Sequence, residues 1–102
     1  VQWMSTGVAD CFNMVGKGRL AEGADGDVVL VDMNNSRTVA DEHTWTRVGW
    51  SPFSGKELVG WAQITIVGGV PVFERNNETG PKGTILVEPG SVGEAIVMNP
   101  WG

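Results

Sequence analysis

The feature that most constrains this sequence is the apolar run at residues 28–31 (Val-Val-Leu-Val), which lies between Asp27 and Asp32. Successive side chains of a strand point to opposite faces, so an unbroken apolar run cannot alternate between core and water. Its short length, with an acidic residue at each end, favours a strand over a helix. We therefore expect a strand covered on both faces, in which Val29 and Leu30 are both buried.

Composition limits the size and the partners of the fold. The chain has 102 residues, of which 41% are hydrophobic and 15 are glycine, so it can form one turn-rich domain with a modest core. A net charge of −5 argues against nucleic-acid binding. No apolar run approaches the roughly 18 residues of a membrane span, and we expect neither a membrane nor a nucleic-acid partner. The lone Cys11 fits a reducing compartment, so the expected location is cytoplasmic.

A short helix is predicted before residue 17. Ser5 or Thr6 can cap it, and Gly16 and Gly18 can end it. The apolar residues recur at helical spacing, which predicts that the cysteine among them is buried: Val8, Cys11, Phe12 and Val15.

The segment after the apolar run is predicted to be irregular. Residues 34–36 (Asn-Asn-Ser) have the composition of a turn, and residues 37–39 that of a short strand. Residues 40–52 show no regular period and form a long loop that carries His43 and two tryptophans. Long loops of this kind often cover another part of a fold.

A β-hairpin is the clearest local structure in the sequence. Two glycines, Gly68 and Gly69, separate strands at 61–67 and 70–74 and supply the positive φ angles of a tight turn. Counting outward predicts five opposed pairs: Val67 with Val70, Ile66 with Pro71, Thr65 with Val72, Ile64 with Phe73, and Gln63 with Glu74. One face should then belong to the core: Ala62, Ile64, Ile66, Pro71 and Phe73. Because proline has no amide hydrogen, the outer side of the second strand should be unpaired near Pro71.

The rest of the chain contains weaker signals. Residues 75–83 are polar and predict a loop, and residues 84–88 and 95–98 are two further short apolar runs. The glycosylation pattern occurs at 34–36 and 77–79, but without a secretory signal it has no expected consequence. The tryptophans share no strand face, which favours packing over a stacking platform for sugars or bases: Trp3, Trp45, Trp50, Trp61 and Trp101.

Several of these segments together resemble one known family. Residues 17–20 (KGRL) and 23–25 (GAD), followed by Asp27 and the apolar run, resemble the start of the C-terminal β-sandwich of the amidohydrolase superfamily. The cyclic amidohydrolases, dihydroorotases above all, are the nearest match. Residues 51–60 (SPFSGKELVG) resemble the Ser-Pro-Phe/Tyr-x-Gly loop before the last hairpin of dihydroorotases and dihydropyrimidinases, and residues 93–97 resemble their closing strand. Residues 7–9 keep only the alanine of the family's Asn-Pro-Ala sequence.

The resemblance implies a mostly β fold. This would be the C-terminal β-sandwich portion of an amidohydrolase, with one short N-terminal helix left from the barrel junction. Residues 1–17 would join the missing barrel to the sandwich, and residues 18–102 would form the sandwich segment. The implied partners are the TIM barrel and the N-terminal strands of the parent.

The sequence offers no residue for catalysis, cofactor binding or metal binding. The family's catalytic equipment is a His-x-His pair, a carboxylated lysine, two further histidines and an aspartate, all on the barrel, and none has a matching position here. Zinc is therefore implied for the barrel and not for this chain. His43 is predicted to lie in loop packing, and the acids around the apolar run to be solvated strand ends and not a calcium or paired-carboxylate site: Asp25, Asp27 and Asp32.

The resulting hypothesis is a non-catalytic sandwich segment of a dihydroorotase-like hydrolase that acts on cyclic amide C–N bonds in pyrimidine biosynthesis. The alternatives are a free-standing β binding module and the sandwich of a non-catalytic dihydropyrimidinase-like scaffold. Since the chain opens on Val1, we expect a piece of something longer. Such a piece should self-associate through apolar side chains that the parent would cover: Trp3, Met4, Phe12 and Trp61.

Overall fold

The four strands form one antiparallel sheet. The computed structural model describes residues 1–76, 80–96 and 98. The strands lie side by side in the order β1-β2-β3-β4. The elements are a π-helical turn (Gln2–Thr6), α1 (Gly7–Cys11), β1 (Val28–Thr38), a 3-10 turn (Asp41–His43), β2 (Glu57–Val67), β3 (Val70–Glu74) and β4 (Thr84–Ile85). The predicted mostly β class with one short N-terminal helix is confirmed, and the sheet is consistent with a portion of a β-sandwich.

The N-terminal helical segment is held by the chain that follows it. The hydroxyls of Ser5 and Thr6 donate to the carbonyl of Gly18 at 3.1 and 2.7 Å and cap no helix, so the predicted cap is wrong. Gly18 has a φ of 85° and leaves no room for a side chain against Ala9. Ala9 is 3% exposed, whereas the predicted burial of Cys11 is wrong, because its thiol faces outward.

β1 passes through the predicted turn without reversing. Asp32 pairs with Trp61 and Ser36 with Val59, so β1 uses two more residues than β2 over this interval. Within it the amide of Asn34 donates to the Asp32 carboxylate at 3.0 Å, which is the local bond that aspartate favours in turns. The turn chemistry therefore produces an irregularity inside one strand, because pairing with β2 resumes at Ser36.

The β2–β3 hairpin begins in the predicted register and then shifts. Val67 pairs with Val70 and Ile66 with Pro71, as counted from the two glycines. The next pairs are Thr65 with Phe73 and Ile64 with Glu74, so Val72 is an extra residue on β3. This bulge places Phe73 on the same face as Thr65. The three remaining predicted pairs and the predicted core face are therefore wrong, since a shift of one residue exchanges the faces.

The predicted gap beside Pro71 is confirmed. Pairing between β3 and β4 consists of Phe73 with Ile85 and Glu74 with Thr84. The amide of Leu86 donates to the carbonyl of Val72, which extends the contact by one residue toward Pro71 but does not reach it. A proline can therefore occupy this position without leaving a sheet bond unmade.

The strand that the sequence predicted to be covered on both faces is half open. Leu30 is 50% exposed, and Val29 and Val31 are similar, so the predicted burial of Val29 and Leu30 is wrong for this chain. The described strands make a single layer, and a single layer cannot cover both of its own faces. Within the described residues, Ala9 is the one hydrophobic side chain that is fully buried.

A small part of the apolar run at 84–88 joins the sheet. Thr84–Ile85 form β4, and Met98 forms an isolated bridge with Met14. The glycosylation pattern at 77–79 and the predicted packing of Trp101 lie outside the described residues. No helix in the described part is long and apolar enough to cross a membrane.

Candidate interaction surfaces

A lysine and two aspartates fasten the segment before β1 to the hairpin; we call them the Lys17 clamp. Lys17 Nζ lies 2.9 Å from a carboxylate oxygen of Asp25 and 2.6 Å from one of Asp27. The other Asp27 oxygen accepts from the amide of Gly68 at 2.8 Å, in the turn between β2 and β3. The amide of the neighbouring Gly69 donates to the carbonyl of Gly26 at 3.0 Å. The end of the approach next to β1, at Gly26 and Asp27, is thus fixed to the hairpin turn, and Lys17 is tied to that end.

The electrostatics of this clamp agree with its geometry. Hydrogen bonds to Asp27 and then Asp25 raise the pKa of Lys17 to about 12. The bond to Lys17, followed by that to the Gly68 amide, lowers the pKa of Asp27 below its ordinary value of 3.8. Both shifts favour the charged pair. The sequence predicted Asp27 to be a solvated strand end. Its carboxylate is instead an anchoring group with two partners.

A cleft beside β2 and β3 is built around Arg75, a residue that the sequence placed in a polar loop. Its guanidinium lies 5.1 Å from the ring centroids of both Trp61 and Phe73. Its Nε donates to the carbonyl of Pro81 at 2.9 Å and its Nη1 to that of Ala62 at 3.1 Å. The Val72 bulge, which turns Phe73 to this face, had no sequence signal, so the role of Arg75 could not be found from the pattern.

The Arg75 cleft is a positively charged environment. Burial lowers the pKa of Arg75, and the nearby charge of Arg37 lowers it further. Arg37 and His43 line the same cavity, which has a volume of about 140 Å³. His43 is therefore part of a cleft wall. Among the residues that the structure describes, no three or more of the types His, Cys, Asp and Glu come together as a metal site.

The long loop that carries the other tryptophans is tied to its neighbours. Trp45 Nε1 donates to the carbonyl of Lys82 at 2.9 Å, and the Lys82 ammonium lies 4.7 Å from the Trp45 ring centroid. The amide of Ser51 donates to the Asp41 carboxylate at 3.0 Å. The loop thus packs on the segment after β3, as expected of a loop that covers part of a fold.

Two exposed apolar surfaces remain. The N-terminal surface consists of Trp3, which is 92% exposed, with Met4 and Phe12. Trp61, predicted to accompany them, is only partly exposed because Arg75 covers its ring. The β1 surface is made by side chains of the edge strand, all about half exposed or more: Val29, Leu30, Val31 and Met33.

The sheet, its clamped approach and its half-exposed strand define a mostly β segment with one antiparallel sheet. No protein-family model matches the chain. It is 35% identical to the dihydroorotase of Pyrococcus abyssi over 91 residues, which are 88% of this chain and 22% of that protein. It is 34% identical over 89 residues to the dihydroorotase of Pyrococcus horikoshii, with 86% and 21% covered.

The similarity extends to bacterial proteins. The dihydroorotase of Bacillus caldolyticus is 33% identical over 75 residues, which are 74% of this chain and 17% of that protein. The chain thus spans about a fifth of the length of the curated relatives it matches. The chain is similar to dihydroorotases over a segment of that extent.

Proposed function

We propose that this chain is the non-catalytic C-terminal β-sandwich segment of a dihydroorotase-like hydrolase that acts on cyclic amide C–N bonds in pyrimidine biosynthesis. The observation that carries the proposal is the half-exposed run at residues 28–31, which has the composition of a strand covered on both faces. The chain's 35% identity to the Pyrococcus abyssi dihydroorotase over 88% of its length supports a dihydroorotase-like parent as the source of that cover.

The chain's own side chains do not fit the metal chemistry of such a parent. A hydrolytic zinc site needs three protein ligands and an open position for water. The sequence has one histidine and one cysteine, of which His43 lines the Arg75 cleft and Cys11 faces outward on α1. Hydrolysis by the parent would therefore be performed by groups outside this chain.

The two apolar surfaces suggest how the segment would be held. The β1 surface presents an edge strand with apolar side chains on both faces, so it suits both a further strand and a covering layer. The N-terminal surface precedes the sheet in the chain and would pack against the barrel. Burying Trp3 and Met4 there would remove two large, nearly fully exposed side chains from water.

A chimera tests this proposal. The matching 91-residue segment of the Pyrococcus abyssi dihydroorotase is replaced by this chain, and hydrolysis of dihydroorotate is measured. We expect the chimera to be active, whereas the same protein with the segment deleted should be inactive or insoluble. A chimera with Leu30→Asp should lose folding, and one with Leu20→Asp, at a position that is 81% exposed, should not.

The alternatives make different predictions in this assay. A free-standing binding module would give an insoluble or inactive chimera while the isolated chain remained a stable monomer. That pair of results would overturn the proposal.

A further inference from the structure

The Arg75 cleft carries two guanidinium groups that the sandwich role does not require. Arg37 projects from β1 and Arg75 follows β3, and both line the cavity of about 140 Å³. The rest of its wall is made by neutral or weakly basic residues: Thr38, Val39, Ala40, His43, Thr44, Trp61 and Pro81. None of the described lining residues is an aspartate or a glutamate.

Arg75 is held in a fixed orientation. Two backbone carbonyls accept from its Nε and Nη1, and its guanidinium lies against the rings of both Trp61 and Phe73. Its Nη2 donates to no acceptor among the described residues. A guanidinium positioned in this way offers its remaining hydrogens to an incoming group without a further loss of conformational freedom.

Arg37 adds a second positive charge that no acid neutralises within the described structure. Its Nε donates to the Asn35 side-chain carbonyl at 3.3 Å. Asp32 borders a neighbouring cleft with Arg37, but no ion pair within 4.0 Å joins them. Two like charges beside a partly desolvated cavity repel each other, and a bound anion would relieve both the repulsion and the unmet hydrogen bonding.

We propose that this cleft is a carboxylate-binding site, in which the two arginines hold the carboxylate and the Trp61 ring contacts an apolar body attached to it. Planar guanidinium groups match the geometry of carboxylates. The cavity is close to the roughly 150 Å³ that accommodates a benzene-sized molecule. The site goes beyond the proposed sandwich function.

Benzoate is a suitable probe, and benzamide is its neutral match. Each is titrated into the ¹⁵N-labelled chain while the Trp61 indole and Arg75 Nε–H signals are followed by NMR. We expect saturable shifts with benzoate alone. Arg37→Gln should weaken binding about tenfold or more, since a charge-assisted bond is lost. Arg47→Gln, in the exposed loop, should leave it unchanged.

A further titration distinguishes the source of the carboxylate. A capped glutamate peptide that binds more tightly than benzoate would indicate an acidic side chain of a partner segment, and the reverse a small molecule. Equal shifts with benzamide, no saturation, or full binding by a folded Arg37→Gln chain would each overturn the proposal.

Discussion

Asp27 shows how one side chain fixes the position of a whole segment. Its two carboxylate oxygens bind different parts of the chain, one the Lys17 ammonium and the other the Gly68 amide. An exposed ion pair alone contributes little to stability, but here the same group also satisfies a backbone donor in the hairpin turn. The residue therefore links the approach to β1 with the turn between β2 and β3.

The substitution Asp27→Asn should make stability less dependent on pH. Because the pKa of Asp27 is lowered below 3.8, its contribution is present above that pH and is lost as the pH falls through the folded value. Because the pKa of Lys17 is raised from 10.5 to about 12, its contribution is present below pH 10.5 and is lost as the pH rises through 12. The amide oxygen of the introduced asparagine could still accept from Gly68, so the difference from the native chain isolates the charge.

Urea unfolding from pH 2.5 to 11.5 measures this effect. The native chain should exceed Asp27→Asn in unfolding free energy at neutral pH, and this difference should narrow toward both ends of the pH range and shrink in high salt. Glu22→Gln, at an exposed acid of the same segment, is the control and should follow the native profile. A constant gap at all pH values would show that the charge has no role.

Leu30 distinguishes the chain alone from an assembled protein. It is 50% exposed here, so Leu30→Ala should destabilise the isolated chain by about 1–2 kcal/mol, below the range for a fully buried leucine. In the chimera described above, where both faces would be covered, the same change should cost about 2–5 kcal/mol. Leu20→Ala, at an 81% exposed position, should stay within about 0.5 kcal/mol in both. Equal losses for Leu30 in both proteins would contradict the proposed cover.

At the scale of elements, irregular pairing decides which side chains meet. The extra residues on β1 between Asp32 and Ser36, and Val72 on β3, change register without breaking the sheet. The second of these places Phe73 where Arg75 stacks on it. The loop that returns from β3 must then pass close over the same ring, and Gly83 is the residue that allows it.

Two glycines of that loop form a matched pair. Gly80 and Gly83 both have a φ of 77°, but a methyl group at 80 would meet nothing within 4 Å, whereas one at 83 would overlap the Phe73 ring and come within 2.9 Å of the Glu74 carbonyl. Gly80→Ala should destabilise by about 1–2 kcal/mol through backbone strain. Gly83→Ala should lose about 1–3 kcal/mol more through the overlap.

Thermal or urea unfolding of the two variants provides the comparison. A difference in unfolding free energy between them reports the contact with Phe73, because the backbone strain is shared. Gly83→Ala in a Phe73→Leu background should recover part of the loss. Equal destabilisation by both alanines would show that the loop does not pack on the ring.

At the scale of the molecule, much of the apolar surface of the described residues is exposed to solvent. Both the β1 surface and the N-terminal surface are exposed, and one alanine is the fully buried hydrophobic residue of the described part. Large exposed apolar surfaces mark sites of interaction or aggregation. We accordingly expect the isolated chain to self-associate. We also expect its free energy of unfolding to be higher when a partner is bound.

Sedimentation velocity over a range of concentrations tests this expectation. The native chain should show a mass that rises with concentration, and Trp3→Ser with Met4→Ser should reduce the rise. Val48→Ser, an exposed apolar residue of the long loop, is the control and should have no effect. A single sharp boundary at the monomer mass, even at high concentration, would favour a free-standing module over a segment.

Elements that depend on local chemistry could be predicted from the amino-acid sequence. The two glycines at 68–69 set the hairpin and its first two pairs, and Pro71 left the adjacent edge unpaired. The motifs around the apolar run and at 51–60 indicated the dihydroorotases to which the chain is similar. These signals are readable because turn geometry and strand composition act over a few neighbouring residues.

Features that depend on contacts between distant residues could not be predicted in this way. The bulge at Val72 brought Phe73 to Arg75, the Lys17 clamp joined the approach to β1 to the distant hairpin turn, and the single layer of described strands left Leu30 half exposed. The periodic pattern of a strand shows which of its side chains are apolar. Whether it is covered depends on which other surface lies against it, and a single strand's sequence does not contain that surface.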